Sequence, residues 1–145
     1  MKMKIVNKSN YDLPKYQTKG SAGFDIKINI DAPLKIPKYS MTELLPTGLY
    51  VKIPNGYEGE IRPRSGLACK HGITLANSPA TIDSDYTGEI KICLVNNSRE
   101  DYILKPGERV CQMLIKPVVQ VEFEEVETLE DTERGSGGFG STGNL

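Results

Sequence analysis

Five stretches of this chain carry side chains suited to joint chemistry, and each also has a plainer reading. Ala22-Gly23-Phe24-Asp25 sets a carboxylate at the start of a strand behind two small residues, which equally describes a turn acid. Arg62-Pro63-Arg64-Ser65-Gly66 lies where a strand meets the one helix-like stretch. The first turn of a helix offers unpaired N–H groups and a partial positive charge, so with Arg64 and the Ser65 hydroxyl it suits an anion. A structural N-cap accounts for Ser65 as well, but not for two arginines around a proline. Asn77 to Glu89 reads as a hairpin holding Asp83, Asp85, Glu89 and Tyr86 close together. A carboxylate there could orient and deprotonate a water, although solvated turns also carry acids and spacing does not say which one acts. Gln112, at the end of Gly107-Glu108-Arg109-Val110-Cys111-Gln112, stands among apolar neighbours. Its amide needs partners from a structural network or from a ligand. Last comes Arg134 to Gly143, where glycines expose N–H groups, Arg134 adds a charged fork, and Ser136, Ser141 and Thr142 add hydroxyls around Phe139. Such a run can grip phosphates or be a disordered tail.

Short β-rich runs punctuated by turn residues must position these groups. The expected strands are Lys4–Asn7, Phe24–Ile28, Thr42–Leu45, Leu49–Ile53, Glu58–Arg62, Ile73–Leu75, Ile90–Val95, Tyr102–Leu104, Arg109–Lys116 and Val119–Glu125. Leu49, Val51 and Ile53 alternate with Tyr50 and Lys52, and Val119, Val121 and Phe123 alternate with Gln120, Glu122 and Glu124, the period of half-buried strands. Ile90 to Val95 is apolar on both faces and is expected to be a central strand. Ser65 to Lys70 is expected to be the single helix, capped by Ser65 and ended at Gly72 in the left-handed conformation. This pattern predicts an all-β fold, a sandwich or barrel of antiparallel sheets with one short helix. Residues 1–126 make the β domain; 127–145 make an acidic linker and a flexible glycine-rich arm.

Bulk properties narrow the partners. A chain of 145 residues is one domain. Its formal net charge of -1 gives no basic footprint for a nucleic-acid polymer. Cys69, Cys93 and Cys111 are an odd number with no C-x-x-C pair, which suits a reducing compartment. With the single histidine His71, a zinc site is not expected. No segment has the apolar length of a signal peptide core or a membrane span, so a cytoplasmic location without membrane contact is the expectation.

Taken together, the segments AGFDI, PRSGLA, NSPATIDSDYTGE, GERVCQ and RGSGGFGSTG resemble, in order and along nearly the whole chain, the motif set of the trimeric dUTPases. The resemblance implies a jelly-roll-like β fold, a homotrimer with sites at subunit interfaces, and Mg²⁺-assisted hydrolysis of dUTP to dUMP and pyrophosphate. It implies that Asp83 activates the attacking water and that Gln112 lies near the α-phosphate. Asp25 would act near the metal through water, and Arg64, Ser65 and Gly66 would bind the phosphate chain. Asn77, the main chain of Thr81, Ile82 and Asp83, and Lys91 opposite would read uracil; Tyr86 would pack under the deoxyribose. Arg134, Ser136, Gly137, Ser141 and Thr142 would touch phosphates, and Phe139 would cover the base. Such an arm is expected to be mobile without a triphosphate, because ordering each residue costs ~1–2 kcal/mol. Two departures stand out: Ala80 where the family usually has glycine, with strain expected if that position needs positive φ, and Thr87 where relatives are often basic. The same nucleotide grip occurs in dCTP deaminases, and a nucleotide-sensing module without turnover is the other alternative.

Overall fold

Alternation at short range, interrupted by glycine and proline, produces strands of two to nine residues. The computed structural model describes residues 1–138. In chain order its elements are β1 Lys4–Asn7, β2 Phe24–Lys27, β3 Leu34–Ile36, β4 Ser40–Met41, β5 Leu45–Lys52, β6 Tyr57–Pro63, α1 Ser65–His71, β7 Ile73–Leu75, β8 Ala80–Ile82, β9 Glu89–Ile92, β10 Leu94–Asn96, β11 Tyr102–Leu104 and β12 Arg109–Pro117. They form four antiparallel sheets with strand orders β2-β12-β6-β8, β1-β5-β9, β4-β10-β7 and β11-β3. The architecture is the expected antiparallel all-β sandwich with one short helix, and the sheets do not close into a barrel.

One apolar core joins the sheets. Ile26, Ile28, Ile53, Ile61, Leu94, Leu104 and Met113 are fully buried, each contributing about 1.5–3 kcal/mol on the usual area scale. The fully buried polar residue Asn96 is satisfied on both sides of its amide. Its Nδ2 donates to the carbonyls of Ile36 at 3.0 Å and Glu100 at 2.8 Å, while its Oδ1 accepts from the Ser98 amide and hydroxyl. Asn96 thus ties the turn after β10 to β3, a link with no signature in the sequence.

Several expectations require correction. The run 90–95 is not one central strand: it breaks at Cys93, β9 pairing with β5 at a sheet edge while β10 sits between β4 and β7. Only Ile90, Ile92 and Leu94 point inward, and Lys91 is exposed. Apolar content on both faces indicated a central strand but could not show a change of sheet. Residues 42–44 are not strand, and β3, β4 and β8 are strands that local alternation did not mark. Val119 to Glu125 forms no strand, and Val119 and Phe123 are 86% and 92% exposed. Its alternation predicts a two-faced strand, yet within the described residues it has no sheet to join. The helix is capped by Arg64, which makes no side-chain cap bond, rather than by Ser65; Gly72 does end it in the left-handed conformation, at φ 66°.

Candidate active site

Two pairings bring the first cluster together. β2 against β12 sets Asp25 opposite Gln112, and β12 against β6 sets Gln112 opposite Arg62. Arg64 follows β6 directly, in extended backbone at the mouth of α1. Its Nε donates to Asp25 Oδ1 at 3.1 Å and its Nη1 to the Arg109 carbonyl at 2.9 Å. Arg109 Nη1 in turn donates to Asp25 Oδ2 at 2.9 Å. One carboxylate therefore holds two guanidiniums, and charge-assisted bonds of this kind are about twice as strong as neutral ones. The Gln112 amide nitrogen donates to the Pro63 carbonyl at 3.1 Å, so that side of the amide is met by the protein itself. Gly23 is needed here, because an added Cβ would meet the Met113 carbonyl at 3.0 Å and Gln112 Oε1 at 3.2 Å. Beside this cluster, Ser65 and Gly66 are exposed on the first turn of α1, with open space where a Cβ of residue 66 would stand.

The two arginines around Pro63 do not act together. Arg62 pairs with Glu60, whose other oxygen accepts from Lys116 Nζ at 2.7 Å. Those hydrogen bonds, to Lys116 first and then Arg62, hold the Glu60 carboxyl below its ordinary range. Arg109 is the participant that residue types alone did not single out; it was visible only as a member of the Gly107–Gln112 run.

The second cluster lies along the β8–β9 link. The stretch 77–89 is not a β-hairpin, because β8 pairs with β6 and β9 with β5 in different sheets. Thr81 faces Glu60 in register and is exposed; Ile82 is half-buried, and Asn77 and Asp83 are exposed. A turn follows, with the Tyr86 amide donating to the Asp83 carbonyl at 3.2 Å and Lys52 Nζ donating to the Ser84 carbonyl at 2.8 Å. Tyr86 packs its ring on Gly88 and donates its hydroxyl to the Glu89 carbonyl at 2.8 Å. Ala80 is not strained: it is a buried strand residue, and among the described residues the only non-glycine with positive φ is Tyr39, at 54°. Lys91 lies on β9 opposite Pro46, in a different sheet from Thr81.

A single chain does not unite the two clusters. β2 and β8 are the opposite edges of one four-stranded sheet, roughly 14 Å apart across three inter-strand spacings. Asp25 lines a cavity with Arg109, Lys27 and Tyr11, whereas Asp83 lines another with Tyr57, Glu58 and Gln120. In the arm, Arg134 Nε donates to the Gly137 carbonyl at 2.9 Å, a bond within its own turn, and Ser136 is exposed. Phe139, Ser141 and Thr142 lie outside the described residues.

Beneath the first cluster, Cys111 is buried, and burial followed by the nearby Asp25 charge pushes its thiol far up. It is an inert core residue there. Among the described residues no three His, Cys, Asp or Glu side chains could hold a metal ion, and both Asp25 oxygens face arginines. This donor set does not fit an ion caged by the protein. It fits one borne on a phosphate chain, since Mg²⁺ readily keeps phosphate oxygens and water as ligands. No helix among the described residues is long and apolar enough to cross a membrane.

Comparison with known proteins agrees with this arrangement of segments. The family model described as dUTPase matches residues 9–143. A deoxyuridine 5'-triphosphate nucleotidohydrolase of Nautilia profundicola is 56% identical over 145 residues, covering 99% of each chain. The dUTPase of Staphylococcus bacteriophage 80alpha, solved with dUPNHPP, superposes with a TM-score of 0.87 at 25% identity, covering 98% of each chain. A variant of the dUTPase from phage phi11 of S. aureus, which coordinates a structural Mg(II) ion, superposes at 0.80 with 22% identity over 90% of this chain and 100% of that one. With its ordered motifs, its antiparallel β sandwich and a match over nearly its whole length, this chain belongs to the dUTPase family.

Proposed function

We propose that the chain hydrolyses dUTP to dUMP and pyrophosphate. The observation that carries this reading is the Asp25–Arg64–Arg109 clamp beside the open first turn of α1, a cationic seat held by the protein's own hydrogen bonds. Arg64, Ser65 and Gly66 receive the phosphate chain there, and Gln112 faces the α-phosphate. Asp83 takes a proton from a water whose oxygen attacks the α-phosphorus; the bond to the bridging oxygen breaks and pyrophosphate leaves. Asp25 would hold, through water, a Mg²⁺ borne on the triphosphate, which would supply neutralisation of the phosphate charge. Asn77, the backbone of Thr81 and Ile82, and Lys91 recognise uracil. Tyr86 packs under the deoxyribose and leaves no room for a 2′-hydroxyl. Residues 1–126 form the body; in the arm, 127–145, Arg134, Ser136, Gly137, Ser141 and Thr142 close on the phosphates and Phe139 on the base.

The working form is a homotrimer in which one copy supplies Asp83 and Tyr86 and another supplies Asp25, Arg64 and Gln112. Two observations support this: the sheet width between the clusters in one chain, and the exposed apolar row Val119, Val121 and Phe123, which lacks a partner among the described residues. Three free thiols suit the reducing cytoplasm. The test is incubation with dUTP, dCTP, UTP or dTTP plus Mg²⁺ and chromatography of the products. dUMP and pyrophosphate from dUTP alone is the expected result. Release of dUTP from dCTP identifies a deaminase instead, and no product from any substrate overturns the reading in favour of a binding module.

A further inference from the structure

We propose that Arg109 is the positioning residue for Arg64, setting the guanidinium that grips the phosphates; this rests on the dUTP-hydrolysing reading above. Against β2, Gln112 faces Asp25 and Cys111 faces Ile26, but Arg109 faces Lys27, so β12 holds one residue more than its partner at Val110. In an unbroken strand side chains alternate, and Arg109 would share the inward side of Cys111. Instead Val110 and Cys111 are both buried, at 2% and 0% exposure, and Arg109 emerges exposed on the Asp25 side. Bulges re-aim side chains in this way.

On that face Arg109 fixes both groups that hold Arg64. Its side chain anchors Asp25 Oδ2, leaving Oδ1 turned to Arg64 Nε, and its own carbonyl accepts from Arg64 Nη1. Two bonds to one planar guanidinium define its plane as well as its place, and neither of them uses Nη2. Arg109 acts on the substrate only through Arg64.

The test uses the full-length protein with Arg109→Gln and Arg109→Lys. Affinity is measured for the imido analogue of dUTP and for dUMP, alongside steady-state kinetics and Tm. In Arg109→Gln the preference for the triphosphate analogue over dUMP falls about 10-fold, the size expected for one charge-assisted contact set wrongly. KM rises more than kcat falls, and Tm and dUMP affinity stay near wild type. Arg109→Lys, a point charge without the planar fork, recovers part of the preference. Combining Arg109→Gln with Asp25→Asn costs no more than the worse single change, because both break one clamp. A fall of both affinities together with Tm, or strictly additive losses, would overturn the proposal. A wild-type protein that neither binds the analogue nor hydrolyses dUTP sinks the parent reading instead.

Discussion

At the β2–β12 end of the molecule, Asp25, Arg64, Arg109 and Gln112 hold one another or the backbone beside them. Along the β8–β9 link, Asp83 stands exposed, and the bonds around it stabilise the turn rather than the carboxylate: Tyr86 to Glu89, Lys52 to Ser84 and the amide of Gly48 to Glu89 Oε1 at 2.8 Å. The difference suits the work that the proposed mechanism gives each region. Cations that stabilise transferring phosphate are effective when fixed in advance, and like-charged arginines stay close only around a shared carboxylate. Under the proposed mechanism Asp83 is the base and must reach water, and it is exposed with its backbone carbonyl held by the Tyr86 amide. The split is the reason for proposing that copies of the chain complete the site together.

The largest expected effect falls on the exposed region. Asp83→Asn should lower kcat by about 10²–10⁴-fold, the range of general-base catalysis, while binding of the dUTP imido analogue measured by calorimetry stays near wild type. Near-normal turnover would move the base elsewhere. Refolding equal amounts of Asp83→Asn and Arg64→Gln chains together then sharpens the comparison. If the two regions meet across subunits, about a quarter of the sites in randomly mixed oligomers regain both groups, and activity returns on mixing. No recovery means that both halves come from one chain.

A smaller effect tests the scaffold under the link. Gly48 lies in β5 at φ 70°, and an added Cβ would stand 2.6 Å from the Ser9 amide nitrogen. Gly48→Ala should cost about 1–3 kcal/mol, as strained backbone positions do, read as a lowered midpoint in urea; an unchanged midpoint would mean the strand relaxes freely. The smallest effect concerns Glu60, on the strand that joins the two regions. Because its folded carboxyl titrates below the ordinary value, its contribution to stability is full at neutral pH, above the unfolded titration, and is lost as pH falls through the folded one. The Tm gap between wild type and Glu60→Gln should therefore shrink as pH is lowered into the carboxylate range and vanish in strong acid. A gap that widens in acid would contradict the pairing with Lys116 and Arg62.

The local placement of the candidate residues was legible because it depends on short windows. Asp25 near the start of a strand, Arg64 before a helical turn and Gly72 ending that turn all follow from a few neighbouring residues. Arg109 was not legible as a participant, since its orientation depends on one extra residue in β12 counted against β2, a strand more than eighty residues away. Ala80 looked like a strained substitution because the family usually has glycine there, a residue that tolerates positive φ; in β8, paired to β6, an alanine is an ordinary buried residue.

By itself the sequence determined the short antiparallel strands, the single helical turn and its stop, and the ordered segments that place the chain among the dUTPases. Those features are set by alternation, turn residues and side-chain chemistry over short windows. The tertiary structure alone decided that 90–95 divides between two sheets, that Val119 to Glu125 is not a strand, and that a bulge at Val110 turns Arg109 onto Asp25. Strand neighbours and register depend on which distant edges meet, and a one-residue difference in that pairing exchanges the two faces of a strand.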